Sequence, residues 1–200
     1  MNHEALAVVL LAAGCSQRFG PANKLLAPLE DKPMVAWAVQ AYDACAWPYR
    51  IAVLGYQAEH VAPWLPQWRL VHNPNHEAGH LHSLRMGLQA LGDWQGAVMV
   101  ALADMPLVQP ADVQALCHAW RRRPSHILAA MLSHQGRQGH PRILDQVLWR
   151  LLLDEPFLDL RDWFARHASS VLSLEQSVGV ISDVDTPGDY MAIQQAMAGA

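Results

Sequence analysis

Two hundred residues, 52% hydrophobic and 16% charged, suffice for one ordinary domain with a real core and are too apolar for a chain whose main state is disorder. The net charge of −4 argues against a dedicated nucleic-acid binder, and no run of about 18 uncharged apolar residues is there to span a membrane. Three widely spaced cysteines (Cys15, Cys45, Cys117) make neither a disulfide framework nor a CxxC zinc pattern, and Met1–Glu4 lacks the basic start of a signal peptide, so a cytoplasmic protein with reduced thiols is expected.

Ala5–Leu11 is a short continuous apolar run ending at Ala12-Ala13-Gly14, the pattern of a strand buried on both faces of a parallel sheet. A helical pattern follows over Pro33–Ala46, and a second apolar run, Arg50–Leu54, precedes Gly55. Arg69–His72 is a third candidate strand, followed by a loop over Asn73–Gly79 and a helix over His82–Leu91. Ala97–Leu102 reads as a buried strand that stops at Asp104-Met105-Pro106, and Pro110 opens a helix running to Arg121. Ile127–Met131 is a further candidate strand, helical periodicity returns at Asp145–Leu153 and Leu160–Arg166, and Val178–Ile181 is expected to be a last short strand. The closing helix starts after Asp185, with Thr186 as N-cap and Pro187 in the first turn.

This alternation predicts an α/β fold, one domain over residues 1–200, with a mostly parallel sheet flanked by helices on both faces. Ligands of such sheets bind beyond the carboxyl ends of the strands, where Gly14–Lys24 and Asp104–Pro106 both fall. The first of these segments, after Leu11, combines small residues that let backbone N–H groups approach an anion with the charges of Arg18 and Lys24. It contains neither GK[ST] nor GxGxxG, which excludes a P-loop and removes the basis for a nicotinamide dehydrogenase. Taken alone, it fits a glycine-rich turn with two solvated cations equally well.

The stretch LAAGCSQRFGPANKLL, Leu11 to Leu26, closely resembles the LAAGxSxRFGxxxKLL signature of the MobA-like nucleotidyltransferases, and most of all their molybdenum cofactor cytidylyltransferase branch. Further segments resemble the family in the same order: Lys32–Val35, Asn73-Pro74 with Gly79–Leu84, Ala103–Pro106, Gly139–Pro141 and Asp183–Tyr190. The resemblance implies the Rossmann-like nucleotide-diphospho-sugar transferase fold and transfer of a nucleotidyl group from an NTP to a phosphate monoester, with release of pyrophosphate. It implies that Arg18 holds the β and γ phosphates, that Lys24 sits on the α-phosphate, and that Asp104 completes the catalytic set. Leu11, Ala12, Ala13, Gly14 and Ser83 would line the nucleotide site, and His140 and Arg161 the acceptor site. Asp104 and Asp185 would hold Mg²⁺, with Asp183 in reserve; Mg²⁺ prefers one or two carboxylates completed by water and phosphate.

Ala13 stands where the guanosine-using branch carries glycine, so the resemblance implies CTP rather than GTP. The implied acceptor is a phosphorylated pterin, molybdopterin or molybdenum cofactor, with a molybdoenzyme as protein partner and neither nucleic acid nor membrane. The family's GDxGAR segment is replaced by Phe157–Arg161, in which only Arg161 survives, so GTP, another phosphorylated acceptor or a non-catalytic cofactor carrier on the same fold are the alternatives. Four histidines, His72, His76, His80 and His82, lie close in sequence, but Pro74 and Gly79 interrupt any helix and no cysteine completes a zinc set, so polar loop residues beside the acceptor cleft are expected. Arg121–Arg123 are expected to be a solvated helix cap, and Cys15 a small space-filler.

Overall fold

The computed structural model describes residues 5–155 and 158–199, so Met1–Glu4 and Phe157 lie outside the described residues. In chain order the elements are β1 (Leu6–Ala12), β2 (Pro28–Leu29), β3 (Lys32–Pro33), α1 (Met34–Asp43), β4 (Arg50–Leu54), α2 (Ala58–Val61), β5 (Arg69–His72), α3 (His80–Gln89), β6 (Ala97–Leu102), α4 (Pro110–Arg121), β7 (Ala129–His134), β8 (Arg137–Leu144), α5 (Gln146–Asp154), α6 (Leu160–Arg166), β9 (Val171–Glu175) and α7 (Pro187–Ala198). Seven strands form one sheet in the order β5-β4-β1-β6-β8-β7-β9. The pairs β5–β4, β4–β1, β1–β6 and β7–β9 are parallel, and β8 runs antiparallel to both its neighbours.

Because side chains alternate across a strand, β1 divides its apolar residues between two layers. Leu6, Val8, Leu10 and Ala12 pack with α1 and α4, through Val35, Val39, Leu116 and Trp120. Ala7 and Val9 pack with α3, α5 and α6, through Leu84, Leu88, Leu148, Trp149 and Phe164. The close approach of α3 needs Gly87, since a Cβ there would stand 2.5 Å from Val9 Cγ1 and 2.9 Å from Val53 Cγ2. That approach sets the first turn of α3 over the carboxyl end of β1.

The structure corrects several sequence expectations. Val178–Ile181 is a 3-10 turn and not a strand; Gly179 and Val180 are buried beside β7 and β8, and a buried turn and a buried strand present the same apolar run. Four strands, the short pair β2 and β3 and the longer β8 and β9, stand where none was expected. α3 starts at His80 and not His82, with Gly79 at its N-cap. Arg121 and Arg122 are exposed, but Arg123 is not part of a solvated cap. Its guanidinium lies 3.5 Å from the Trp120 ring centroid, donates to Trp120 O at 3.1 Å and Ile127 O at 3.3 Å, and pairs with Asp145 at 2.9 Å.

Candidate active site

β1 and β6 are parallel neighbours, so their carboxyl ends open on the same side of the sheet, joined by Ala103 N donating to Leu11 O at 3.0 Å. The loop after β1 is tied down at Ser16, which has φ 56° and whose carbonyl accepts from Phe19 N at 2.9 Å. Ser16 Oγ accepts from Lys24 N at 3.1 Å. Asn23 then caps the 3-10 turn Lys24–Leu26, its Oδ1 accepting from Leu25 N at 3.0 Å while its Nδ2 donates to Tyr56 O at 3.1 Å. These bonds aim a 7% exposed lysine inward.

Lys24 Nζ lies 2.7 Å from Asp104 Oδ2 and 3.0 Å from Asp185 Oδ1, and Arg18 Nη2 lies 2.6 Å from Asp185 Oδ2. The chain before α7 reaches Asp104 because Val184 N donates to Asp104 O at 3.0 Å. Asp185 is fixed by the helix cap behind it: Asp189 Oδ2 accepts from Asp185 N at 3.1 Å and Thr186 N at 2.7 Å, and Thr186 Oγ1 accepts from Asp189 N at 3.2 Å. Burial opposes the Lys24 charge, but Asp104 and then Asp185 outweigh it and hold the ammonium above its usual range. Burial likewise opposes the Asp185 charge, and the Lys24 hydrogen bond and charge, with Arg18, bring that carboxyl below its usual range. Asp183 is pushed up, by burial first and by the Asp104 and Asp185 carboxylates next.

A cavity of about 330 Å³ opens over these groups, and its wall contains Leu11, Ala12, Ala13, Gly14, Arg18, Lys24, Ser83, Asp104 and Asp185. Every residue expected at the nucleotide, catalytic and metal sites is therefore gathered at one place, and Asp183 is not in the wall. A second cavity, of about 420 Å³, contains both expected acceptor residues, His140 and Arg161. The two cavities share Leu11, His80 and Leu102, so they adjoin. His140 is held well below the ordinary imidazole range, first by burial and then by Arg142 and His80, and is therefore neutral at physiological pH.

Sequence reasoning missed three contributors: Ser16 and Asn23, which shape the loop through hydrogen bonds to backbone groups, and Arg142, which enters the second cavity from β8. His76, expected beside the acceptor cleft, instead enters the first cavity from the 3-10 turn His76–Ala78. His76 comes close because Gly55 has no side chain; a Cβ there would lie 2.5 Å from Ala13 O and 2.6 Å from His76 Cβ. Of the four clustered histidines, His76 and His80 reach the cavities, whereas His72 and His82 line neither. Among the described residues no three His, Cys, Asp or Glu side chains converge as a metal site. Asp104 and Asp185 nonetheless form an all-oxygen pair spanned by one ammonium, a donor set that fits a hard divalent cation completed by phosphate and water.

A family model described as the MobA-like NTP transferase domain matches residues 8–171. The chain belongs to the MobA-like NTP transferase family. Asp104 falls inside the matched stretch, and Asp185 joins the site from beyond it. Among curated proteins, the bifunctional protein GlmU of Syntrophotalea carbinolica is 31% identical over 160 residues, which is 74% of this chain and 33% of that protein. The chain spans about a third or less of the length of the curated relatives it matches. Among solved structures, a nucleotidyl transferase from Methanothermobacter superposes with TM-score 0.80 at 21% identity, covering 97% of this chain and 98% of the other. Rv0371c of Mycobacterium tuberculosis, in complex with manganese, gives TM-score 0.77 at 22% identity, covering 96% of this chain and 99% of the other. Both share the fold of this chain over nearly its whole length.

Proposed function

We propose that this chain, acting as one domain, is a Mg²⁺-dependent nucleotidyltransferase that moves the CMP group of CTP onto the phosphate of molybdopterin or molybdenum cofactor and releases pyrophosphate. The observation that carries the reading is the convergence of Arg18, Lys24, Asp104 and Asp185 in one cavity that adjoins a second, cation-lined one. Family membership and the carboxylate pair support a divalent metal, and the manganese in Rv0371c agrees with it.

An oxygen of the acceptor phosphate attacks the α-phosphorus, the bond from that phosphorus to the bridging oxygen breaks, and pyrophosphate leaves with its electron pair. The attacking group is already anionic, so no protein nucleophile is needed; catalysis is positioning and charge neutralisation. Lys24, buried and held charged by two carboxylates, is placed to bind the α-phosphate as charge shifts there. Arg18, with its side chain 72% exposed, is free to leave Asp185 for the incoming β and γ phosphates. Asp104 and Asp185 would hold Mg²⁺, which would supply charge neutralisation for the phosphates. Ala13 lies in the wall of the same cavity, at the position where the guanosine-using branch carries glycine, and this supports CTP over GTP. The soluble product would pass to a molybdoenzyme partner.

Calorimetric titration of the protein with CTP and with GTP, each in Mg²⁺, tests the nucleotide assignment. CTP should bind more tightly, and Ala13→Gly should narrow the difference. Tighter binding of GTP would overturn the choice of base, and binding of neither would overturn the reading as a whole.

A further inference from the structure

The second cavity carries more positive charge than the transfer of one phosphate requires. Arg142, on β8, is in register with Val100 of β6 and lines this cavity together with Arg161, from the first turn of α6. Arg142 Nε donates to Gly139 O at 3.0 Å, and its guanidinium lies 5.0 Å from the Phe164 ring centroid. Among the described residues neither Arg142 nor Arg161 has an ion-pair partner, and the Nη groups of both make no hydrogen bond. The one carboxylate in the wall, Asp159, is engaged elsewhere: its Oδ1 caps α6, accepting from Arg161 N at 2.7 Å and Asp162 N at 3.2 Å. Burial, and then the Arg161 charge, bring the Arg142 pKa down to about 10, which leaves it fully charged at neutral pH.

Two guanidiniums face one cavity whose wall holds a single carboxylate, Asp159, so the wall keeps an excess of positive charge. Leu81, Leu84, Val100, Leu144 and Leu160 make much of that wall apolar. A planar guanidinium fork left free in such a place is suited to a bidentate oxyanion. Its position sets it apart from the catalytic cations. Arg142 is opposite Val100, four residues before Asp104, and a strand rises about 3.3 Å per residue, so their backbones are separated by about 10–13 Å. A phosphate seated against Lys24 and Asp104 is at the other end, across the shared edge of Leu11, His80 and Leu102.

We propose that Arg142 and Arg161 form a second anion-binding subsite, distal to the reacting phosphate, and that the acceptor carries a further anionic group at its far end. The inference rests on the second cavity being the acceptor site, as read above, and narrows the substrate class. The acceptor is an organic phosphate whose apolar or planar body ends in a second anion, such as a carboxylate, a thiolate or another phosphate. Phosphates of neutral sugars or simple alcohols leave the two guanidiniums unpaired and are poor acceptors.

Two probes of equal carbon count, heptyl phosphate and 6-carboxyhexyl phosphate, isolate the distal charge. Their affinities for the full chain are measured by calorimetry, with and without a non-hydrolysable CTP analogue and Mg²⁺. The carboxylated probe should bind roughly tenfold more tightly, an advantage that weakens with added salt. Arg142→Gln and Arg161→Gln should each reduce that advantage to about twofold, and Arg142→Lys, which keeps the charge but loses the planar fork, should fall between the wild type and Arg142→Gln. Arg161 is exposed, so its variant tests the site even where a change at Arg142 disturbs packing on Phe164. Equal affinities of the two probes in the wild type, or an advantage that survives both glutamine variants, would overturn the subsite. Failure to bind the CTP analogue, with the arginine-dependent advantage intact, would instead overturn the transferase reading and leave an anion site without that role.

Discussion

Replacing Lys24 by methionine removes a cation that two carboxylates share, at nearly constant side-chain volume. The three side chains are 9% (Lys24), 12% (Asp104) and 31% (Asp185) exposed, so the pairs are largely shielded from water. Removing one member of a buried pair costs about 3–5 kcal/mol, because the remaining charge stays buried without its partner. Asp185 keeps Arg18 at 2.6 Å and is the more exposed of the two carboxylates, which places the expectation near 3 kcal/mol. For a chain of this size each kcal/mol shifts Tm by about 2–4 °C, so a fall of roughly 6–12 °C is expected in thermal melts without metal. The double variant Lys24→Met/Asp104→Asn should be more stable than the sum of its single changes by about 1–3 kcal/mol, since neutralising Asp104 removes the stranded charge. Added Mg²⁺ or Mn²⁺ should stabilise Lys24→Met more than the wild type, a divalent ion filling the place the ammonium has left. Turnover should still fall by about 10²–10³-fold, because the metal does not replace the lysine at the α-phosphate. Additive changes in the double variant, or an unchanged Tm, would refute the shared-cation account.

Ser83→Ala should cost about 1–3 kcal/mol in urea unfolding, because fully buried Asn73 donates from Nδ2 to Ser83 Oγ at 3.0 Å and that amide donor would lose its acceptor. Nucleotide affinity should fall with it, as Ser83 lines the first cavity, and Ser83→Thr should preserve both. Arg123→Met should cost about 3 kcal/mol, since it strips a largely buried ion pair with Asp145 and the stacking on Trp120; a loss under about 0.5 kcal/mol would fit an ordinary surface arginine instead. His140 gives a pH dependence. The unfolded chain takes up its proton near 6.5 and the folded chain only well below it, so stability falls as pH drops through 6.5, by up to about 1.4 kcal/mol per unit. The wild type minus His140→Asn difference in unfolding free energy between pH 7.5 and 5.5 should show that slope; a flat difference would contradict a neutral buried imidazole.

What the sequence revealed follows from where its signals are local. β1, β4 and β6 are continuous apolar runs, and the Thr186–Asp189 cap is written in four adjacent residues. β8 escaped because RQGHPRIL is polar and contains Gly139 and Pro141, residues that argue against an interior strand. The structure accommodates them where the β7–β8 register shifts, between Met131 and Ser133, so the missing N–H falls in an irregular stretch of the ladder. β9 is a five-residue edge strand, half exposed, with too little apolar pattern to stand out. The charged site residues were legible through the family signature, but their pairing was not. Lys24 meets Asp104 and Asp185 across 80 and 161 positions, a contact that no local pattern encodes. Arg142 resembles any strand arginine until Arg161 is seen in the same cavity.

The most direct test of the account is pyrophosphate release from CTP and from GTP in Mg²⁺, with and without molybdopterin or molybdenum cofactor. Release that requires the acceptor, prefers CTP and is lost in Lys24→Met is the predicted result. Nucleotide binding with no release in the presence of either acceptor would contradict it.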